Sequence, residues 1–155
     1  MYTCDNHLLC SKDAINKAEM ICKDKGLRFT SLRKEVLEII WSSHIPAKAY
    51  DILSKLKNYN EPAKPPTVYR TLDFLIENGL IHKLNTINAY IGCSHPLKHN
   101  ECYFLICQNC EEVIECCNGN LSEAISKTAH KNKFNAKNIT IEVTGKCEEC
   151  IKKTQ

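Results

Sequence analysis

An α+β fold is predicted by three features of this 155-residue sequence. The first half carries four segments of helical period, separated by Gly and Pro stops. A β-hairpin pattern follows them directly. The second half mixes strand-like and helix-like stretches around two hooks, Cys107-Gln-Asn-Cys110 and Cys147-Glu-Glu-Cys150. Helices running straight into a hairpin predict an N-terminal winged helix-turn-helix, with a plain helical bundle ending in a hairpin as the rival. A small α/β domain with a Cys4 zinc site is expected after it.

The elements read in order. From about Ser11 to Lys25, Ile15, Ala18, Ile21 and Cys22 share a face, and Gly26 stops the helix. Thr30 is an expected N-cap, followed by Leu32, Val36, Ile39 and Ile40 at helical spacing. Pro46 breaks the chain, and Ala49 to Leu56 resumes the period. Pro62, Pro65 and Pro66 impose an extended turn before a fourth helix, Thr67 to Asn78, which Gly79 ends. Its apolar stripe is Val68, Leu72, Leu75 and Ile76; Arg70 points away from it, and Thr67 and Tyr69 flank it. Ile81 to Leu84 and Ala89 to Gly92 read as the hairpin.

Residues 93–100 read as a polar linker rich in potential ligands. Strands are expected at Cys102 to Cys107 and Val113 to Cys117, a helix from Leu121 to about Asn132, and a strand from Asn138 to Val143. The boundaries drawn are 1–92 for a winged-helix DNA-binding domain, with 1–10 a flexible extension. Residues 93–100 form a hinge linker, and 101–155 a dimerisation and zinc-binding domain. The last part is too small to hold together comfortably without zinc or a partner. Its strands could extend across a two-fold axis into a dimer sheet.

A two-residue gap turns two thiolates toward one point, so two hooks supply the four sulfurs of a tetrahedral zinc ion. Disulfides or unliganded thiols are the rival reading. Cysteine is abundant and odd in number, at 11, and no export signal is seen at Met1 to His7. A cytoplasmic metalloprotein is expected, without a membrane span. The net charge is +3, and all of it lies in residues 1–85, which carry 13 Lys or Arg against 10 Asp or Glu. A mildly basic front half can meet phosphate.

The stretch Ala63-Lys64-Pro65-Pro66-Thr67-Val68-Tyr69-Arg70-Thr71-Leu72-Asp73-Phe74-Leu75 resembles the DNA-recognition helix of the ferric uptake regulator (Fur) family. Arg28-Phe29-Thr30-Ser31-Leu32-Arg33 and Ala49-Tyr50-Asp51-Ile52-Leu53 are similar to the same family's second and third helices. Ile81-His82-Lys83, Tyr90-Ile91-Gly92-Cys93 and the two hooks complete the likeness, which covers residues 12 to 150. Lys64-Pro65-Pro66 and Cys93 resemble most the zinc uptake regulator branch. The resemblance implies a homodimeric, metal-dependent repressor whose winged helix reads an AT-rich palindromic operator. It also implies structural zinc in the C-terminal domain and a second, regulatory metal at the hinge.

That second site maps onto His82, Cys93, His99 and Glu115. His99 stands one residue farther from Cys107 than the family's usual linker histidine, so His95 or Cys102 are alternative third ligands. A soft sulfur beside imidazole favours zinc over ferrous or manganous ions. A metal held by both halves would bias their angle, and through it the affinity for DNA. On the DNA-facing side, Arg70 is the expected base contact, through guanine O6 and N7. Tyr69 suits a thymine methyl or a phosphate; Thr67, Tyr50 and Lys64 suit phosphate or groove edge; Arg28 and Lys83 suit backbone clamps. The rival inputs on the same fold are iron, manganese, or peroxide and thiol oxidation. An enzyme is not expected, because a closed Cys4 site leaves no position for water and the few glycines build no phosphate-cradling loop.

Overall fold

The computed structural model describes residues 7–57, 63–137 and 139–153. Met1, Pro62 and Asn138, named above, lie outside them, as do the other residues of 1–6 in the N-terminal extension. The chain divides into two compact units at Pro96/Leu97.

The first unit holds α1 (His7–Asp24), α2 (Ser31–Ile40), α3 (Ala49–Leu56), α4 (Pro65–Glu77), β1 (Ile81–Leu84) and β2 (Ala89–Gly92). Helix α1 starts at His7, four residues before the apolar period begins, because Leu8 and Leu9 face solvent and leave no apolar trace on the core side. Helix α4 starts at Pro65, two residues earlier than expected, since proline's missing N–H is no loss in a first turn. The Thr30 side chain caps α2, accepting from the Arg33 N–H at 3.4 Å.

These helices exist because each has an apolar face to bury. Ile15 and Ala18 of α1, Val36, Leu37, Ile39 and Ile40 of α2, and Ile52 and Leu56 of α3 enter one core. Val68, Leu72 and Leu75 of α4, with Leu80, Ile81 and Tyr90 of the hairpin, complete it. Each large aliphatic among them contributes about 1.5–3 kcal/mol relative to exposure. Gly79, at φ +70°, lets the chain turn back after α4. The Gly79 N–H then bonds Ile76 O and the Leu80 N–H bonds Leu75 O, both at 2.9 Å, so the helix ends satisfied and the wing begins at once.

The wing is anchored at three places. Strands β1 and β2 pair antiparallel with Ile81 opposite Gly92 and His82 opposite Ile91. Ala47 and Tyr90 exchange two backbone bonds of 2.8 Å, tying the approach to α3 onto β2. The Trp41 indole packs against Gly92, where an added Cβ would fall within 2.7 Å of its Cε2, Nε1 and Cζ2 atoms.

The second unit holds β3 (Cys102–Cys107), β4 (Val113–Cys117), α5 (Gly119–Lys131), β5 (Glu142–Gly145) and α6 (Glu148–Lys152); a 3₁₀ turn, Pro96–Glu101, leads into it. This turn overlaps the stretch 93–100 expected as a polar linker. The sheet order is β4-β3-β5, with β4 antiparallel and β5 parallel to β3. Strand β5 begins four residues later than its β-branched pattern, because its pairing with β3 starts at Phe104 opposite Glu142. Phe104 and Ile106 are buried, while Leu105, Val143, Leu121 and Phe134 are exposed. No described helix is long and apolar enough to cross a membrane.

Gly92→Ala should lower unfolding free energy by about 1–3 kcal/mol through overpacking against the indole. Urea denaturation followed by fluorescence of Trp41, the chain's single tryptophan, measures it. An unchanged midpoint would mean that the indole is not seated on the wing.

Candidate metal centres and nucleic-acid interface

The parallel pairing of β5 with β3 creates the cysteine cluster. It sets Gly145 opposite Cys107, and Gln108 N–H donates to Gly145 O at 2.8 Å. Two residues later the chain delivers Cys147, which sits at the N-cap of α6, and one helical turn brings Cys150. The first hook bends between β3 and β4, helped by the left-handed Glu111 at φ +57°. The sulfurs of Cys107, Cys110, Cys147 and Cys150 all lie within 4.8 Å of one another. Cys110 and Cys147 sulfurs are 3.7 Å apart. A tetrahedron with zinc–sulfur legs of about 2.3 Å has edges of about 3.8 Å, so the donor set fits zinc.

The local electrostatics prepare one thiolate first. The Cys147 N–H donates to Cys107 Sγ at 3.3 Å. With further bonds from the first hook it pulls the Cys107 thiol down to about 6. Cys150 is pushed up to about 12, first by its hydrogen bond with Cys147 and then by burial. Four sulfurs packed this closely cannot all ionise without a cation among them.

The other donors sit on regular elements of their own units. In the first unit, His82 on β1 and Cys93 just after β2 are both buried. The register makes them diagonal neighbours on one face of the hairpin. The Cys93 N–H bonds Leu80 O at 3.0 Å, which carries the ladder past Gly92 and holds the thiol in place. A His82 ring nitrogen lies within 4.8 Å of Cys93 Sγ. His95 is exposed. In the second unit, His99 lies half-buried in the 3₁₀ turn, and Glu115 is a buried carboxylate on β4 opposite Phe104. Cys102 is joined to Cys117 by a disulfide between β3 and β4, and it has a thiolate to offer a metal only when that bond is reduced.

The outer face of α4 is polar and open. Thr67, Tyr69 and Arg70 are exposed there, and Lys64 stands at its N-cap. Tyr69 keeps 48% of its surface accessible and Tyr50, on α3, keeps 78%. The apolar face of the same helix is fully occupied by core, so these rings are held in water by the fold. Arg28 and Lys83 are also exposed. Arg33 is spent differently: its guanidinium lies over the Phe74 ring and donates to the Arg28 carbonyl. It fixes the backbone from which Arg28 projects.

The sequence profile of the Ferric uptake regulator family matches residues 24–144. The chain belongs to the ferric uptake regulator family. It is 35% identical to the zinc uptake regulation protein of Escherichia coli (strain K12), over 91% of this chain and 83% of that protein. Its structure resembles that of a zinc uptake regulator complexed with zinc and DNA, with a TM-score of 0.85, 33% identity, and 93% and 97% of the two chains covered. The crystal structure of holo XcZur is similar at a TM-score of 0.81 and 35% identity, covering 89% and 96%.

Two features of this ferric uptake regulator family member escape sequence reading. The Cys102–Cys117 bond depends on cross-strand register, which spacing alone cannot supply. The fit of Trp41 on Gly92 joins residues from separate elements, and only the missing side chain of a strand glycine hints at close approach.

Cys110→Ser should lower bound zinc by about one ion per chain. Elemental analysis after dialysis measures the loss, and limited proteolysis should show residues 97–155 losing protection. Full zinc retention would show that this cluster is not the structural site.

Proposed function

We propose that this protein is a zinc-responsive, DNA-binding transcriptional repressor of zinc-uptake genes, acting as a homodimer in the cytoplasm. It is a regulator and not an enzyme. The observation that carries the zinc assignment is the buried Cys93 sulfur within 4.8 Å of a His82 nitrogen. Mixed sulfur and imidazole donors favour zinc over iron or manganese. Likeness to a regulator whose structure holds zinc and DNA supports the same reading.

In this reading residues 1–92 read the operator, 93–100 link the two parts, and 101–155 pair the protomers. The Cys4 cluster holds a structural zinc. His82, Cys93, His99 and Glu115 hold the regulatory zinc, so that each part of the chain contributes donors. Such an ion biases the angle between the parts toward the one a palindrome accepts. Moving the population from mostly open to mostly closed takes roughly 5 kcal/mol of differential zinc affinity. A second copy covers α5, which has no buried residue in the single chain, and the exposed Leu121 and Val143.

On AT-rich palindromic DNA, Arg70 reads a base edge through its guanidinium and Tyr69 packs on a thymine methyl or phosphate. Lys64, Thr67 and Tyr50 meet phosphate or groove edge, and Arg28 and Lys83 clamp the backbone.

Arg70→Ala should weaken operator binding by about 1–3 kcal/mol and relax preference at one base pair. Gel-shift titration at fixed salt checks this, and undiminished binding would remove Arg70 from the groove. DNA binding titrated against free zinc and against ferrous iron should respond to zinc, and Cys93→Ser should blunt that response. A response to iron alone that survives the serine would assign the protein to another input.

A further inference from the structure

The second unit carries a thiol pair that the zinc-and-DNA reading leaves unused. Cys102 and Cys117 stand directly opposite each other in the β3–β4 register, with Cα atoms 4.0 Å apart, and are joined as a disulfide. A DNA-binding regulator works in a reducing compartment, where a disulfide is a transient, redox-reading bond rather than a permanent staple. The position of the pair says what it would report to. Side chains alternate along a strand, so Cys117 shares a face with Glu115, and Cys102 shares that face with Phe104. A Glu115 carboxylate oxygen lies within 4.8 Å of Cys102 Sγ and within 4.8 Å of Cys117 Sγ. Cys102 also follows directly on the turn that bears His99, and its Sγ is 3.3 Å from Lys98 O in that turn. The bond therefore joins the strand of one proposed zinc donor to the turn of another.

We propose that Cys102 and Cys117 are a site of reversible oxidation by hydrogen peroxide, and that the disulfide state tightens zinc binding by the Glu115 donor set. The proposal rests on the regulatory site assigned above. The better-exposed Cys117 sulfur attacks peroxide; an S–O bond forms, the O–O bond breaks, and hydroxide leaves. The buried Cys102 sulfur then attacks the sulfenic sulfur; the S–S bond forms, the S–O bond breaks, and a second hydroxide leaves. The two thiol protons turn both hydroxides into water, and two electrons pass from the sulfurs to peroxide. A small dithiol returns them by exchange. Oxidation locks the spacing of β4, which carries Glu115, against the start of β3, which follows the turn that bears His99. Less ordering of these donors is then left for the ion to impose, so it binds more tightly. Cys116 lies on the opposite face of β4, across from Tyr103, and provides an internal control.

The test uses the full chain with its Cys4 cluster zinc-loaded, reduced with dithiothreitol or treated with hydrogen peroxide. Disulfides are mapped by alkylation and peptide mass spectrometry, and the second zinc is titrated against a chromophoric chelator. The expected result is a Cys102–Cys117 link in the oxidised sample and a second-zinc affinity about tenfold higher there than in the reduced one. Cys102→Ala and Cys117→Ser should each hold the reduced affinity under both treatments, while Cys116→Ser keeps the response. No link, a link between other cysteines, or equal affinities would overturn the proposal. Tighter binding in the reduced protein would also overturn it, by making the two sulfurs zinc donors themselves. If Glu115→Ala still abolishes the second zinc while peroxide changes nothing, only the redox role falls. A second zinc that survives Glu115→Ala sinks the regulatory site, and the redox role with it.

Discussion

Parallel pairing of β5 with β3 is the constraint on which the second unit depends. The unit has a three-stranded sheet, the helix α5 with no buried residue, the short α6 that buries Cys150, and a handful of other buried side chains. That is little apolar burial to set against the entropy of ordering its chain. The register that places Gly145 beside Cys107 also brings four sulfurs together. Their mutual repulsion as thiolates makes the arrangement unfavourable alone and favourable around a dication. In the proposed structural zinc site, zinc binding and sheet pairing are thus one event: the strand pairing gathers the donors, and an ion there would hold the strand.

The first unit is stabilised in another way. Its core is a continuous set of aliphatic side chains from four helices and the root of the hairpin. The wing adds little apolar area of its own. It is positioned by backbone bonds to Ala47, by the turn at Gly79, and by the indole on Gly92. Rigid placement matters because His82 and Cys93 ride on this hairpin, and a donor pair displaced by a register slip would end on opposite faces. Helix α4 serves two masters: its stripe of Val68, Leu72 and Leu75 enters the core, and that fixes which way Tyr69 and Arg70 face.

Much of this could be read from residue order, for local reasons. Glycines at 26 and 79 end helices because the chain there takes positive φ. The Thr30 cap and the hairpin are decided within a few residues, whereas Pro65 and Pro66, expected in an extended turn, form the first turn of α4. The hooks announced a metal because two-residue spacing is itself a chelate geometry. Errors fell where a distant partner decides. The β-branched run before Val143 read as the strand, but pairing with β3 selected Glu142 to Gly145 instead. Within the stretch expected as a polar linker, Pro96 to Glu101 forms 3₁₀ turns kinked at Lys98, and these bear His99.

By itself the sequence determined the four-helix-and-wing order, the apolar stripes, the ligand inventory and the family likeness, since these depend on spacing along the chain. The two hooks were expected to converge on one ion; only the tertiary structure decided the register that joins them and the pairing of Cys102 with Cys117. Cys107 reaches Cys147 through a parallel register, and Cys102 reaches Cys117 through an antiparallel one. Cys116, the immediate neighbour of Cys117, is turned to the other face. Sulfur chemistry acts over a few ångströms, whereas spacing in sequence says nothing about strand register; the pairing therefore had to wait for the fold.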